Sequence, residues 1–390
     1  MTDVKENVIA ETEEKKTAAK GKNTKKDEPA TEKVEIKGAF SKPSAAAGRG
    51  RTNYRPKSAE FRGGGKITID GDNKYKKPAT EDDNITKELQ MSLDRNVRLK
   101  LEGVVTGFRP VRRTANEEPN IFATVDFHGR TVLIHSRDFA LPIFDPETKE
   151  YKAYTNENFP VSEIIKYVQR RKFSEVDFIV NKVDVDNFGA LLIIASRLAG
   201  MAKQRQRYWY AKEKNTGKDY IRAGKVAQAR VVAVVKDSIF VELFGCETRI
   251  PAKNLSYVFL RDVRDHFKNG DTVEVLITEV NTTQTEKGKH IDFRASYKET
   301  QYDLYRSYFL QHRPGDNVVG KVMHVKYNEK ENLFEIFVNV NNQNRVQVVC
   351  NMKRGVEQPP AVEDWVDIKI LKMDPETLKA RGELIHVYSR

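Results

Sequence analysis

Apolar positions in this chain fall into short alternating runs separated by polar stretches, and the clearest set lies between residues 224 and 297. Residues 226–235 are rich in β-branched side chains, with Arg230 alone among apolar neighbours. Residues 239–243 alternate with period two, and 248–251 follow the turn signal Phe244-Gly245. Residues 272–280 and 290–296 complete the set. β-Branched enrichment, alternation and bounding Gly, Asn and Asp predict strands. Five short strands, with one longer connection between the third and fourth, predict a small Greek-key barrel of the OB type. Such a barrel leaves the face around strands two and three free for an oligonucleotide.

The same pattern recurs on both sides. Before the central stretch, strands are predicted over 98–108, 122–127, 130–135, 176–185 and 190–196. Between the third and fourth of these, 139–158 reads as loop, and 161–171 carries Val161, Ile164, Ile165 and Val168 at helical spacing. After it, strands are predicted over 318–325, 334–340, 345–350, 365–373 and 379–387. Phe122, Phe240 and Phe337 read as one place in strand two of each copy, the mark of a repeated supersecondary unit. The expected fold is mostly β: barrels over 93–198, 222–298 and 315–390, joined by helical linkers over 199–221 and 299–314.

Residues 1–92 lack this pattern. Residues 11–37 are Lys, Glu, Thr and Ala with almost no large apolar side chain, too little to offset the entropy of ordering. Arg49-Gly50-Arg51, Tyr54-Arg55 and Phe61-Arg62-Gly63-Gly64-Gly65-Lys66 then give the Arg, Gly and aromatic composition of flexible RNA-contacting tails. The Gly63–Lys66 run is not a phosphate loop. It follows no strand, Glu60 stands where the first Gly belongs, and Ile67 where Ser or Thr belongs.

The linker 199–221 carries Lys203, Arg205, Arg207 and Lys212 beside Tyr208-Trp209-Tyr210. Interleaved cations and aromatics suit a phosphate backbone and stacked bases. They equally suit an interdomain helix whose rings anchor on a barrel, and both readings stand at this point.

Composition narrows the function. The chain has 390 residues and a net charge of +12, with a pI near 9.3, which points to a polyanionic partner, most simply nucleic acid. Cys246 and Cys350 lie in different expected units and form neither a disulfide framework nor a zinc pair; each is expected to be a small buried hydrophobe in a reducing compartment. The first residues contain no apolar secretory segment, and no run is long enough to cross a bilayer, so a cytoplasmic protein without a membrane partner is expected. No paired His or Cys has metal-ligand spacing and no nucleophile elbow is present. Asp184 and Asp186 are the one pair of carboxylates placed to hold a divalent cation, and a polar turn explains them better. The expectation is a binding protein, not an enzyme, with no cofactor and no metal.

Several elements of the central stretch form a specific combination: Phe240-Val241 on strand two, Ile250-Pro251 followed by Leu255-Ser256, Gly270-Asp271-x-Val273, and a terminal Ser296-x-Lys298. In this the stretch resembles the S1 RNA-binding domain family, named for bacterial ribosomal protein S1; Gly320-Lys321-Val322 resembles the family's opening strand in the third unit. The resemblance implies exposed aromatics on strands one to three stacking on bases, a His near strand three, and an Asp and an Arg near strands four and five. In the central unit Phe240 matches the second aromatic position and Arg294 the basic one. Asp237, Pro251 and Asn281 stand where the first aromatic, the His and the Asp belong, leaving Lys236, Arg249 and Lys253 to supply electrostatic attraction. In the third unit Phe337 matches the second aromatic, Tyr327 lies one residue from the first, and Asp374 fits the acidic position. In the first, Phe122 matches, Val111 replaces the other aromatic, and His135 lies one residue from the family's His.

The role so implied is a ribosomal protein S1-like factor of bacterial or phage origin. It would hold single-stranded mRNA for translation, with the small ribosomal subunit as a candidate partner. An RNA-decay or transcription accessory factor, or a scaffold binding protein alone, remains open on these residues. Limited proteolysis should trim the tail rapidly to a core starting near residue 90, and a tail as resistant as the barrels would refute the disorder reading.

Overall fold

A computed structural model describes residues 82–112, 114–148, 150–185, 191–214, 216–285, 288–340, 345–353 and 358–388. The readings for 1–81, and for Asp186, fall outside these residues. Within them the chain is mostly β, arranged as three successive five-stranded units that cluster as one compact body.

Helix α1 (Asp82–Leu93) precedes the first unit. This unit contains β1 (Leu101–Val111), β2 (Asn120–Phe127), β3 (Arg130–His135), α2 (Ser136–Phe139), the small hairpin β4 (Ile143–Asp145) and β5 (Glu150–Lys152), α3 (Val161–Gln169), β6 (Glu175–Val185) and β7 (Leu191–Ser196). Helix α4 (Arg197–Tyr208) leads to the second unit: β8 (Val226–Val235), β9 (Ser238–Leu243), β10 (Cys246–Pro251), β11 (Thr272–Thr285) and β12 (Gly288–Ser296). Helix α5 (Tyr302–Phe309) leads to β13 (Asn317–Asn328), β14 (Leu333–Asn339), β15 (Gln347–Lys353), β16 (Trp365–Asp374) and β17 (Lys379–Tyr388).

The first and third units are closed barrels with strand order β1-β2-β3-β7-β6 and β13-β14-β15-β17-β16. The second has the same connectivity as a sheet, β10-β9-β8-β11-β12, whose edge strands β10 and β12 approach without a ladder. Alternation explains the cores. On β9, Ile239 and Val241 are fully buried while Phe240 between them points outward and is half-buried. Each fully buried aliphatic side chain contributes about 1.5–3 kcal/mol, so period two decides which face turns inward. Cys246 and Cys350 are buried and unpaired, and burial pushes both thiols up to about 12.

Three expectations are corrected. The expected tail reached residue 92, but Asp82–Leu93 is helical, with Ile85 and Leu89 buried in the first core; Ile85, Leu89 and Leu93 stand at helical spacing, and only the packing shows that the first two are buried and Leu93 is not. The loop expected over 139–158 contains α2 and the β4–β5 hairpin. The third concerns register. All three first strands carry a one-residue bulge, at Thr106, Val232 and Met323. Beyond it Gly107 faces Thr124, Ala233 faces Phe240, and His324 faces Phe337. Phe240 and Phe337 are therefore equivalent, but their counterpart in the first barrel is Thr124; Phe122 lies two residues earlier on the same face. A two-residue slip preserves inward and outward alternation, so periodicity alone cannot detect it.

The first and second units are joined by buried charge. Arg197, the first residue of α4 and fully buried, donates to both Glu242 and Glu247. Arg171 donates to Glu247 at 2.8 Å. Arg230 bonds Asp177 at 2.8 Å and Glu102 at 3.0 Å, and Lys100 bonds the same two carboxylates at 3.2 and 2.6 Å. Arg230 also lies 3.5 Å from Glu175, so four cations meet five carboxylates at the joint. Beside them Trp209 donates its indole N–H to the Leu243 carbonyl at 3.0 Å, and Tyr208 stacks on Phe244 with centroids 3.9 Å apart. The Tyr208-Trp209 pair is thereby an anchor, with Trp209 only 3% exposed. Gly245, at φ +81°, lets the β9–β10 turn meet α4: a Cβ there would lie 2.0 Å from the Met201 carbonyl oxygen.

Burial opposes each of these charges. For Glu247 burial is outweighed by Arg171 and Arg197, which hold its carboxyl down at about 2. Asp177 is lowered in the same way, against burial, by Arg230 and Lys100. Glu242 has only a share of Arg197, so burial prevails and raises it. A carboxylate whose folded value lies below its unfolded one contributes stability above the unfolded value and loses it as pH falls through the folded one. Glu247 should therefore contribute about 3 kcal/mol at neutral pH, lost as pH drops from about 4.5 towards 2, with Glu242 acting in the opposite sense. Melting followed across that range should show a steep loss for the native chain and a shallower one for Glu247→Gln. Identical slopes would remove Glu247 from the joint's stability.

Candidate nucleic-acid interface

Phe240 sits at the centre of the second unit's outer face. Its direct cross-strand partner on β10 is Arg249, and β8 presents the small Ala233 on its other side. Opposed residues on neighbouring strands share a face, so the ring and the guanidinium lie side by side. Arg249 donates to the Ser238 hydroxyl at 2.8 Å and to Asp237 at 2.6 Å. The Ser238 hydroxyl and then Arg249 lower the Asp237 carboxyl from its ordinary value. Both Arg249 and Asp237 are more than half exposed, so this pair is weakly held.

The flanking cations are placed by backbone ties. Lys236 and Asp237 form the β8–β9 turn; the Asp237 carbonyl accepts from Ala252 N at 2.8 Å, and that of Lys236 from Val263 N at 2.9 Å. This brings Lys236 beside the 3-10 turn Ala252–Asn254, which carries the exposed Lys253. In both closed barrels the third and fifth strands pair in parallel, with Leu133 opposite Ile194 and Val349 opposite Arg381. The corresponding positions of the second unit hold Arg249 and Arg294. Arg294 is exposed and lies 3.5 Å from Glu279, another weak surface pair.

The remaining candidates are dispersed. Phe122 and His135 are cross-strand partners with rings edge to face at 5.0 Å, and His135 Nδ1 accepts from Arg137 N at the start of α2. Tyr327 is opposite Phe334, near the β13–β14 turn, with its hydroxyl on Asn332 at 2.7 Å; His324, not Tyr327, faces Phe337. Asp374 accepts from Thr377 Oγ1 at 2.6 Å and from the Glu376 and Thr377 amides, capping the β16–β17 turn; these bonds, led by the Thr377 hydroxyl, lower its carboxyl. Phe337 is half-buried beside the Phe259 and His324 rings, at 6.0 and 5.7 Å. Arg205 donates to the Gly245 carbonyl, tying α4 to the β9–β10 turn, while Arg207 is exposed near the Tyr208 ring. Asp184 is paired with Lys182.

The residues not singled out from the sequence are Phe259, His324, Asn339 and Gln347, which meet between the second and third units. Only their loop and edge positions place them there, and no periodicity marks them.

Residues 220–286 match the family model for the S1 RNA binding domain. The second unit is an S1 RNA-binding domain. The sequence matches no curated protein. Among solved structures the chain is similar to a multidomain protein with nucleic acid binding domains from Streptococcus pneumoniae TIGR4, at 14% identity over 75% of each chain with a TM-score of 0.15. It is also similar to Mycoplasma genitalium RNase R bound to ribose-methylated single-stranded RNA, at 14% identity over 41% of this chain and 21% of that one, TM-score 0.16. Drosophila Unr CSD456 matches at 10% identity over 75% of this chain and 98% of that one, TM-score 0.15. Likenesses at these TM-scores establish nothing further here, and this chain spans only about a fifth of the RNase R chain.

Because Ile239 and Val241 fill the core and Phe240 does not, Phe240→Ala should weaken binding of single-stranded RNA by roughly 1–3 kcal/mol with nearly unchanged melting. If Phe240 instead supports the core, melting should fall by many degrees, matching a loss of about 3–5 kcal/mol, and the stacking role is lost.

Proposed function

We propose that this protein binds single-stranded RNA as a non-enzymatic holder of mRNA, in a translation role like that of ribosomal protein S1. The observation that carries the reading is the S1 RNA-binding domain at 220–286, whose outer face sets Phe240 beside Arg249, with Lys236 and Lys253 near the β8–β9 turn and Arg294 on β12 as further cations. Stacking on Phe240 contributes roughly 1–3 kcal/mol and accepts any base. The cations supply phosphate contacts independent of sequence, as a message carrier requires. We read the first and third units as further S1-type barrels. The third repeats the Phe240 position with Phe337, and tandem weak modules gain avidity through effective concentration. In this reading the compartment is the cytoplasm and the assembly a ribonucleoprotein, with the small ribosomal subunit as partner.

Two measurements test it. Affinity for single-stranded RNA should fall steeply with salt, each phosphate contact adding about 0.7 to the log–log slope. A flat plot would favour a protein scaffold. Cross-linking in cells, followed by identification of RNA and protein, should recover mRNA and small-subunit proteins; recovery of a nuclease or polymerase instead would replace translation with decay or transcription.

A further inference from the structure

The second and third units enclose a cleft of about 450 Å³. One wall is the segment after β10, carrying Phe259 and Arg261; the other contains Asn339 at the end of β14 and Arg345, with Tyr305 of α5 between them. The volume is in the range of pockets that enclose a small organic group.

A single side chain organises both walls. Gln347 Oε1 accepts from the backbone N–H of Phe259 at 3.2 Å. A backbone amide can only donate, so the Gln347 amide is oriented without ambiguity: its other end, Nε2, is a donor. That end meets Asn339 at 3.2 Å, which obliges Asn339 to present Oδ1 to it. Asn339 Nδ2 is thereby left over. It is buried without a hydrogen-bond partner, on a residue 3% exposed that lines the cleft. A buried amide donor with no acceptor is costly, and an acceptor brought in by a ligand relieves that cost.

The opposite wall offers a flat ring. Phe259 stacks on His324 with centroids 4.5 Å apart and planes 10° from parallel, and Phe337 supports the pair. The rim carries both signs, with Asp265 among its carboxylates and acting on Arg264. Glu363 is engaged by Lys321 and by Arg261, and Asp262 by Arg264 at 2.5 Å.

An unpartnered donor on one lining residue and a supported aromatic ring on another, under a rim with guanidinium groups, are the parts by which unstacked bases are held: ring on ring, with a hydrogen bond to the base edge. We infer that this cleft takes one base of a bound single strand, its ring against Phe259, with a small shift of the Asn339 side chain bringing the buried Nδ2 to an acceptor on the base edge. The inference rests on the RNA-binding reading and adds a base-enclosing subsite, separate from the open face around Phe240.

The test uses the full chain and a short mixed-sequence single-stranded RNA in which each nucleotide in turn is made abasic, with affinity read by fluorescence anisotropy. In the native chain two positions should lose about tenfold more than their neighbours, one whose base stacks on Phe240 and one through the missing base in the cleft. In Asn339→Leu the cleft penalty should vanish, while the loss caused by Phe240→Ala persists. Should Asn339→Leu melt far below the native chain, Phe259→Ala provides the same comparison from the other wall. Two penalties that both persist in the folded variants, or no penalised position besides that of Phe240, overturn the cleft inference and leave RNA binding standing. Absence of RNA binding at low salt overturns both.

Discussion

Everything about how the first two units sit together depends on a set of charges taken out of water. Arg197 has no exposed surface, yet it carries its charge because Glu242 and Glu247 come from the neighbouring unit to meet it. Such a group costs several kcal/mol to bury, and the cost is recovered only when the geometry of both partners is right. The same network acts as a gauge of how the two units dock. Any other docking of the two units strands at least one charge, and losing one partner costs about 3–5 kcal/mol. Helix α4 is thus part of the joint, with Gly245 admitting the β9–β10 turn to its backbone and Trp209 closing the apolar side.

The joint between the second and third units is built differently. It is made of rings and amides: Tyr257 packs among Tyr302 and Tyr305, Ser256 shares a hydrogen bond with Tyr305, and Gln347 bridges Phe259 to Asn339. These contacts leave a cleft, where the buried ion pairs of the first joint leave almost none. The two joints divide the labour that the proposed function requires. One fixes the docking of the first two units, and the other opens a cleft between the second and third.

That face reconciles binding with modest departures from the family pattern. Where an S1 domain has its first aromatic, this one has Asp237, and the Asp is engaged by Ser238 and Arg249. The surface then offers one ring at Phe240 with cations around it.

Much of the β architecture was legible in the sequence, because burial on one face of a strand writes period two into the residues that must face inward. Residues 226–235 and 130–135 were delimited as the strands β8 and β3, and outward Phe240 between inward Ile239 and Val241 follows from the same rule. Arg230 among apolar neighbours stood out as an anomaly but did not name its partners, since Asp177 lies 53 residues away on another unit. Long-range pairing decided the rest. The two-residue offset that makes Thr124 rather than Phe122 the counterpart of Phe240 leaves alternation intact and appears only when strands are laid side by side. Trp209 reads identically as a stacking platform or an anchor until Leu243 is placed against its N–H. The unpaired amide of Asn339 exists only because Gln347 is fixed from the other side by Phe259, and chain order brings those three residues together only through the packing of two separate units.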